Sequence, residues 1–276
     1  MKRIVAPLAA LAVLAAIAPA SGALDAPAAA PGSALVRVAH FSPDTAGVDV
    51  WVDSTRELQN VSYNTVSDYA TLPAGPHQLA LRPVGAPATS TPLLSANVTL
   101  AAGSAHTVAG VGLNKQLRGQ IFDDDLSAPE AGAAKVRIIN AAVGIEPIDV
   151  TVAGGPPFPG SIGFAAASPY EQVPAGKHDL QVLGSAHQNV LLNVPGVDVG
   201  AGIIYSFAVI GGAGKPTQFV PVVDARGPAL TPAGAAKTGG GGTARVRVHK
   251  VHHRSRHHAQ HHKARHRAHK HAKHHR

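Results

Sequence analysis

The chain has 276 residues, no cysteine and a formal net charge of +8. Without a thiol it forms no disulfide, no thiolate metal centre, no cysteine nucleophile and no lipidated cysteine. The charge is divided: residues 25–237 hold 11 Lys/Arg against 16 Asp/Glu, whereas residues 245–276 hold 11 Lys/Arg, 12 His and no acid. That asymmetry marks an interaction segment attached to an acidic body.

In chain order, Met1, Lys2 and Arg3 precede an apolar run from Ile4 to Ile17, followed by Ala18-Pro19-Ala20 and Ser21-Gly22-Ala23. Positive start, apolar stretch and small residues predict a signal peptide over 1–23, cleaved after Ala20 or Ala23. The run is shorter than the roughly 20 residues a membrane-spanning helix needs. The expected location is therefore secreted, extracellular or cell-surface associated, with no transmembrane segment in the mature chain. Residues 24–33 read as an Ala/Pro spacer.

Residues 34–127 and 133–227 carry one unit twice, joined by Ser127-Ala128-Pro129-Glu130-Ala131-Gly132. Val36-Arg37-Val38 answers Val136-Arg137-Ile138, and Val48-Asp49-Val50 answers Ile148-Asp149-Val150. The run from Tyr69 to His77 answers the run from Tyr170 to His178. An offset near 100 residues predicts two tandem domains, since solenoid repeats are much shorter. Val48, Val50 and Val52 alternate with Asp49 and Trp51, the period of a half-buried strand. Turn signals at Ser42-Pro43-Asp44, Pro73-Ala74-Gly75 and Ala102-Gly103-Ser104 recur at the spacing of an all-β sandwich. In Pro-Ala-Gly the proline presets φ and the glycine accepts a positive φ. Tyr69 and Tyr170 are expected to pack over that corner.

Taken together, Val36-Arg37-Val38-Ala39-His40-Phe41-Ser42-Pro43, Val48-Asp49-Val50 and Leu72-Pro73-Ala74-Gly75 resemble the bacterial secreted family known as domain of unknown function 4397. The second copy echoes them across residues 34–227 but has Ile139-Asn140-Ala141-Ala142-Val143 where the His-Phe-Ser-Pro motif would stand. The resemblance implies two tandem immunoglobulin- or transthyretin-like β-sandwich domains and an extracellular setting. It supplies no catalytic residues.

Several side chains invite a role. Arg37 with Asp49, and Arg137 with Asp149, point off the aliphatic face and are expected to form exposed cross-strand ion pairs. Trp51 also points outward, with Thr151 in the second copy; it reads as cover for an edge or as a ligand platform. Asp123-Asp124-Asp125 reads as a solvated acidic turn, with calcium binding as the alternative. His40, His77, His106, His178 and His187 are scattered. Asn60-Val61-Ser62 and Asn97-Val98-Thr99 fit the glycosylation sequon. Gly160-Ser161-Ile162-Gly163 has the wrong spacing for a nucleophile elbow, and no metalloprotease, phosphate-loop or dinucleotide motif occurs.

Residues 228–243, with Gly239–Gly242, read as a linker to a disordered tail over 244–276. In the tail, His252, His253, His257, His258, His261 and His262 are candidate ligands for zinc, copper or nickel; four-residue spacing would place two pairs on one helix face. Arg254, Arg256, Lys263, Arg265, Arg267, Lys270 and Lys273 are candidate contacts for anionic polymers or an envelope surface. Any metal would be loosely held, and no cofactor is required. Nucleic acid would bind without sequence preference. The reading is a non-catalytic surface module contacting polyanions through this tail. The alternatives are extracellular metal sequestration and an unrecognised secreted hydrolase.

Overall fold

The computed structural model describes residues 29–145, 147–152, 158–184 and 189–227. Predicted features at 1–23, 24–28 and 228–276 lie outside the described residues. All described regular structure is β apart from one short 3-10 turn at Asn114–Gln116. Among the described residues no helix is long and apolar enough to cross a membrane.

The first half contains β1 (Ser33–His40), β2 (Val48–Val52), β3 (Thr55–Val61), β4 (Thr65–Val66), β5 (Ala70–Pro73), β6 (Gly75–Pro83), β7 (Leu94–Leu100), β8 (Ala105–Val111) and β9 (Arg118–Asp123). The second contains β10 (Ala133–Ala142), β11 (Ile148–Val152), β12 (Ala166–Ala167), β13 (Glu171–Pro174), β14 (Gly176–Gly184), β15 (Asn189–Val199), β16 (Ile203–Gly212) and β17 (Lys215–Arg226). Each half has an inner and an outer sheet. The inner sheets run β4-β1-β8-β9 with β5 also on β1, and β12-β10-β16-β17 with β13 also on β10. The outer sheets run β3-β2-β6-β7 and β11-β14-β15. In both inner sheets the first strand pairs in parallel with a later one, Arg37 beside Thr107 and Arg137 beside Ser206. Gly75 and Gly176 take φ of +131° and +140°, as the Pro-Ala-Gly turns require.

Period two explains the packing. On β1 the even residues Ala34, Val36 and Val38 face the outer sheet, meeting Val48, Val50, Leu79 and Val98. On β10, Ala134, Val136 and Ile138 meet Ile148, Val150, Leu180 and Val182. The odd positions face the other half. Ala39, Phe41, Ala109, Val111 and Phe122 share one core with Ile139, Ala141, Ala208 and Ile210. The order of layers is outer, inner, inner, outer, and the inner strands β1, β10 and β16 are buried on both faces. All described residues fall in one compact unit. The expected connector is held down: Lys135 Nζ donates to the Ser127 carbonyl at 2.6 Å and its hydroxyl at 2.8 Å.

Candidate functional site

All thirteen predicted site residues of the tail, from His252 to Lys273, lie outside the described residues. The described residues instead bring together polar side chains that the sequence reading placed at the surface.

Arg37 and Arg137 correct the expected ion pairs. Parity does turn them off the aliphatic face, but that face meets the other half and not water. Arg37 is 3% exposed and Arg137 2%. Arg37 Nη2 donates to Asp224 Oδ1 of the second half at 2.5 Å, and Arg137 Nη2 donates to Asp124 Oδ1 of the first. The exchange is reciprocal. Each guanidinium also donates from Nε to a hydroxyl on the parallel neighbour strand, Thr107 or Ser206, both at 2.8 Å. Those hydroxyls donate onward at 2.7 Å, Thr107 to Asp124 and Ser206 to Asp224. Tyr69 donates to Asp124 at 2.6 Å, and Tyr170 donates to Asp224 at 2.7 Å. The rings lie under Arg37 and Arg137 at 4.7 and 4.8 Å. The tyrosines therefore complete the ionic network, correcting their expected place over the turn.

The same network corrects the acidic turn at Asp124, whereas Asp123 and Asp125 are exposed as expected. Asp124 is buried and its oxygens are committed to Arg137, Thr107 and Tyr69, so it is neither solvated nor free for calcium. Asp125 pairs with Lys135 at 2.9 Å. Among the described residues no three His, Cys, Asp or Glu side chains gather as a metal site. Burial and the nearby carboxylates raise the pKa of both tyrosine hydroxyls, which keeps them donors. Burial of paired charges is stable only when every partner is supplied; here each carboxylate accepts three side-chain hydrogen bonds. Among the described residues, the Thr107 and Ser206 hydroxyls are committed to this arginine–carboxylate network.

Asp49 and Asp149 have other partners. Asp49 accepts from the Asn60 and Gly85 backbone N–H groups, both at 2.9 Å, and from Arg56 at 3.3 Å. The two N–H groups hold its carboxyl below the ordinary carboxylate value. Asp149 accepts from the Ser161 hydroxyl at 2.6 Å. Trp51 is partly covered on the outer sheet, with the Arg56 and Arg82 guanidiniums each 5.8 Å from its ring centre. His77 pairs with Asp53 at 2.6 Å, which raises its pKa, whereas burial lowers that of His40. Cavities between the sheets of the first half measure about 20, 10 and 70 Å³, against the roughly 300 Å³ or more of a small-molecule pocket.

The sequence carried a signal for the network. Arg37/Arg137, Tyr69/Tyr170 and Asp124/Asp224 recur at the repeat offset, whereas most other charges do not. Repeated polar side chains at strand positions point to a shared buried requirement.

Residues 34–151 match the family described as a domain of unknown function, DUF4397. The DUF4397 match takes in the whole first half, then β10 and most of β11. It therefore includes Arg37, Tyr69, Asp124 and Arg137 but not Asp224. Among solved structures the chain is similar to one titled "The Bacillus anthracis TIE protein", at 10% identity and a TM-score of 0.21. That alignment covers 65% of this chain and 33% of the other, so the chain spans about a third of the solved protein. A likeness at that score carries no argument. No curated protein matches the chain.

Proposed function

We propose that the protein is a secreted, non-catalytic surface module. In this reading two immunoglobulin- or transthyretin-like DUF4397 copies form a stiff body, and residues 244–276 contact anionic polymers of a cell envelope. The observation that carries it is the division of charge. The body has a surplus of acid and spends two of its arginines on internal ion pairs, while the terminal segment has 11 Lys/Arg and no acid. Such a segment attracts polyanions at long range, with strong dependence on salt. Its 12 histidines add charge as pH falls through about 6.5.

The test compares the full chain with a chain ending at residue 243 on carboxylate- and phosphate-bearing surfaces between pH 8 and 5. Retention should strengthen as pH falls, weaken with salt and disappear on truncation. Equal retention of both chains, or retention indifferent to pH, refutes the reading. A second reading, divalent-metal capture, rests on the His257/His261 and His258/His262 spacing. It predicts zinc binding that weakens over the same fall in pH, as protons compete for imidazole.

A further inference from the structure

The outer face of the β3-β2-β6-β7 sheet differs from its counterpart in the second half. Directly opposed residues share a face of an antiparallel pair. On this face Arg56 lies opposite Trp51, Trp51 opposite Ala80, and Ala80 opposite Ser95. Asp49 lies opposite Arg82, and Gln78 opposite Asn97. The face is thus an indole between two guanidiniums, bordered by amide and hydroxyl side chains. Arg56, Gln78, Ser95 and Asn97 are exposed, and Ala80 between Trp51 and Ser95 is buried.

The second half shows that the fold does not demand these residues. There Thr151 stands for Trp51, Gln181 for Ala80 and Leu183 for Arg82, so those three positions hold neither an aromatic ring nor a cation. Trp51 Nε1 and Arg82 Nε are buried without an acceptor, and Arg82 Nη1 donates to the Ser90 hydroxyl at 3.2 Å. Asp49 answers Arg56 alone, so the pair of guanidiniums keeps an excess positive charge in a body that is acidic as a whole.

We infer that Trp51, Arg56 and Arg82 form a binding face for an acidic polysaccharide. A sugar carboxylate accepts from the guanidiniums, whose planar donor fork matches it. Ring hydroxyls meet Gln78, Ser95 and Asn97, which are spread along β6 and β7 as contacts to an extended polymer would be. A polyphosphate is less suited, because it has no ring hydroxyls to meet the exposed Gln78, Ser95 and Asn97 side chains. None of the residues named here belongs to the C-terminal cationic segment.

Trp51 is the only tryptophan in the chain, so its emission reports this face alone. The full-length protein is titrated with a galacturonic acid hexamer, with a neutral galactose hexamer and with polyphosphate. The acidic hexamer should change Trp51 emission saturably, and the neutral one should leave it unchanged. Arg82→Leu, which installs the second-half residue, and Arg56→Gln, on an exposed strand, should each weaken the response at least tenfold. Circular dichroism checks that both variants fold. An unchanged emission, or an affinity in both variants equal to that of the unaltered protein, overturns the proposal. A polyphosphate response as strong as the uronate response overturns the saccharide assignment. Loss of surface retention on removing residues 244–276, with the Trp51 response intact, keeps this site and the terminal segment distinct.

Discussion

At the scale of single residues, the carboxylates of Asp124 and Asp224 govern the most. Each lies where two halves meet and joins three donors from both. Asp124→Ala would strand Arg137 in the core without its counter-charge. The expected loss is about 3–5 kcal/mol, read from urea denaturation. Tyr69→Phe removes one donor to a charged acceptor and should lose less, about 1.5–3 kcal/mol. A loss under about 1 kcal/mol for Asp124→Ala would mean that Arg137 reaches water on its own.

His40 contributes one pH dependence to the first half. It is buried, with Nε2 3.2 Å from the Ala46 carbonyl, and burial holds its pKa below the ordinary 6.5. The unfolded chain therefore binds the proton more readily. Its contribution is complete above pH 6.5 and declines as pH falls toward the lowered folded value. His77 acts in the opposite sense, since Asp53 and the Pro73 carbonyl raise its pKa. Its contribution is complete below 6.5 and lost as pH rises through the raised value. Asn140 holds the His40 position in the second half, donating to the Ile145 and Ile162 carbonyls without titrating. His40→Asn should thus flatten the loss of stability between pH 7 and 5, measured by thermal denaturation across that range. An unaltered slope would place the titration elsewhere.

At the scale of elements, β1 and β10 show what periodicity conveys. Alternation correctly separated Val36 and Val38 from Arg37, and Val136 and Ile138 from Arg137. It carried no information on what lies over the second face. A strand with arginine at its centre reads as one face wet. Here that arginine faces another sheet, and the small side chains of Ala39, Ala109, Ala141 and Ala208 let the two sheets approach. The turns were legible because Pro-Ala-Gly acts locally, through φ alone. The parallel pairing of β1 with β8 was not legible, since it joins residues about 70 positions apart and no local signal records it. The Trp51 face was half legible. Parity turned the indole outward, but the convergence of Arg56 and Arg82 needed the register of three strands.

For the whole molecule, the reciprocal ion pairs and the shared apolar core make the two halves one cooperative body. Calorimetry of the full chain should show a single transition for residues 33–227. Asp124→Ala combined with Asp224→Ala, by cutting both cross-links, should broaden or split it. Two separate transitions in the unaltered protein would show that the halves fold independently. The amino-acid order alone determined the β class, the duplicated unit, its turns and the division into an acidic body and a cationic end, because each follows from local conformational preference, period or composition. Only the tertiary structure decided that Arg37 and Arg137 reach across to Asp224 and Asp124. Which charge meets which across an interface depends on how whole sheets stack, and that is settled by shape and burial summed over many distant residues.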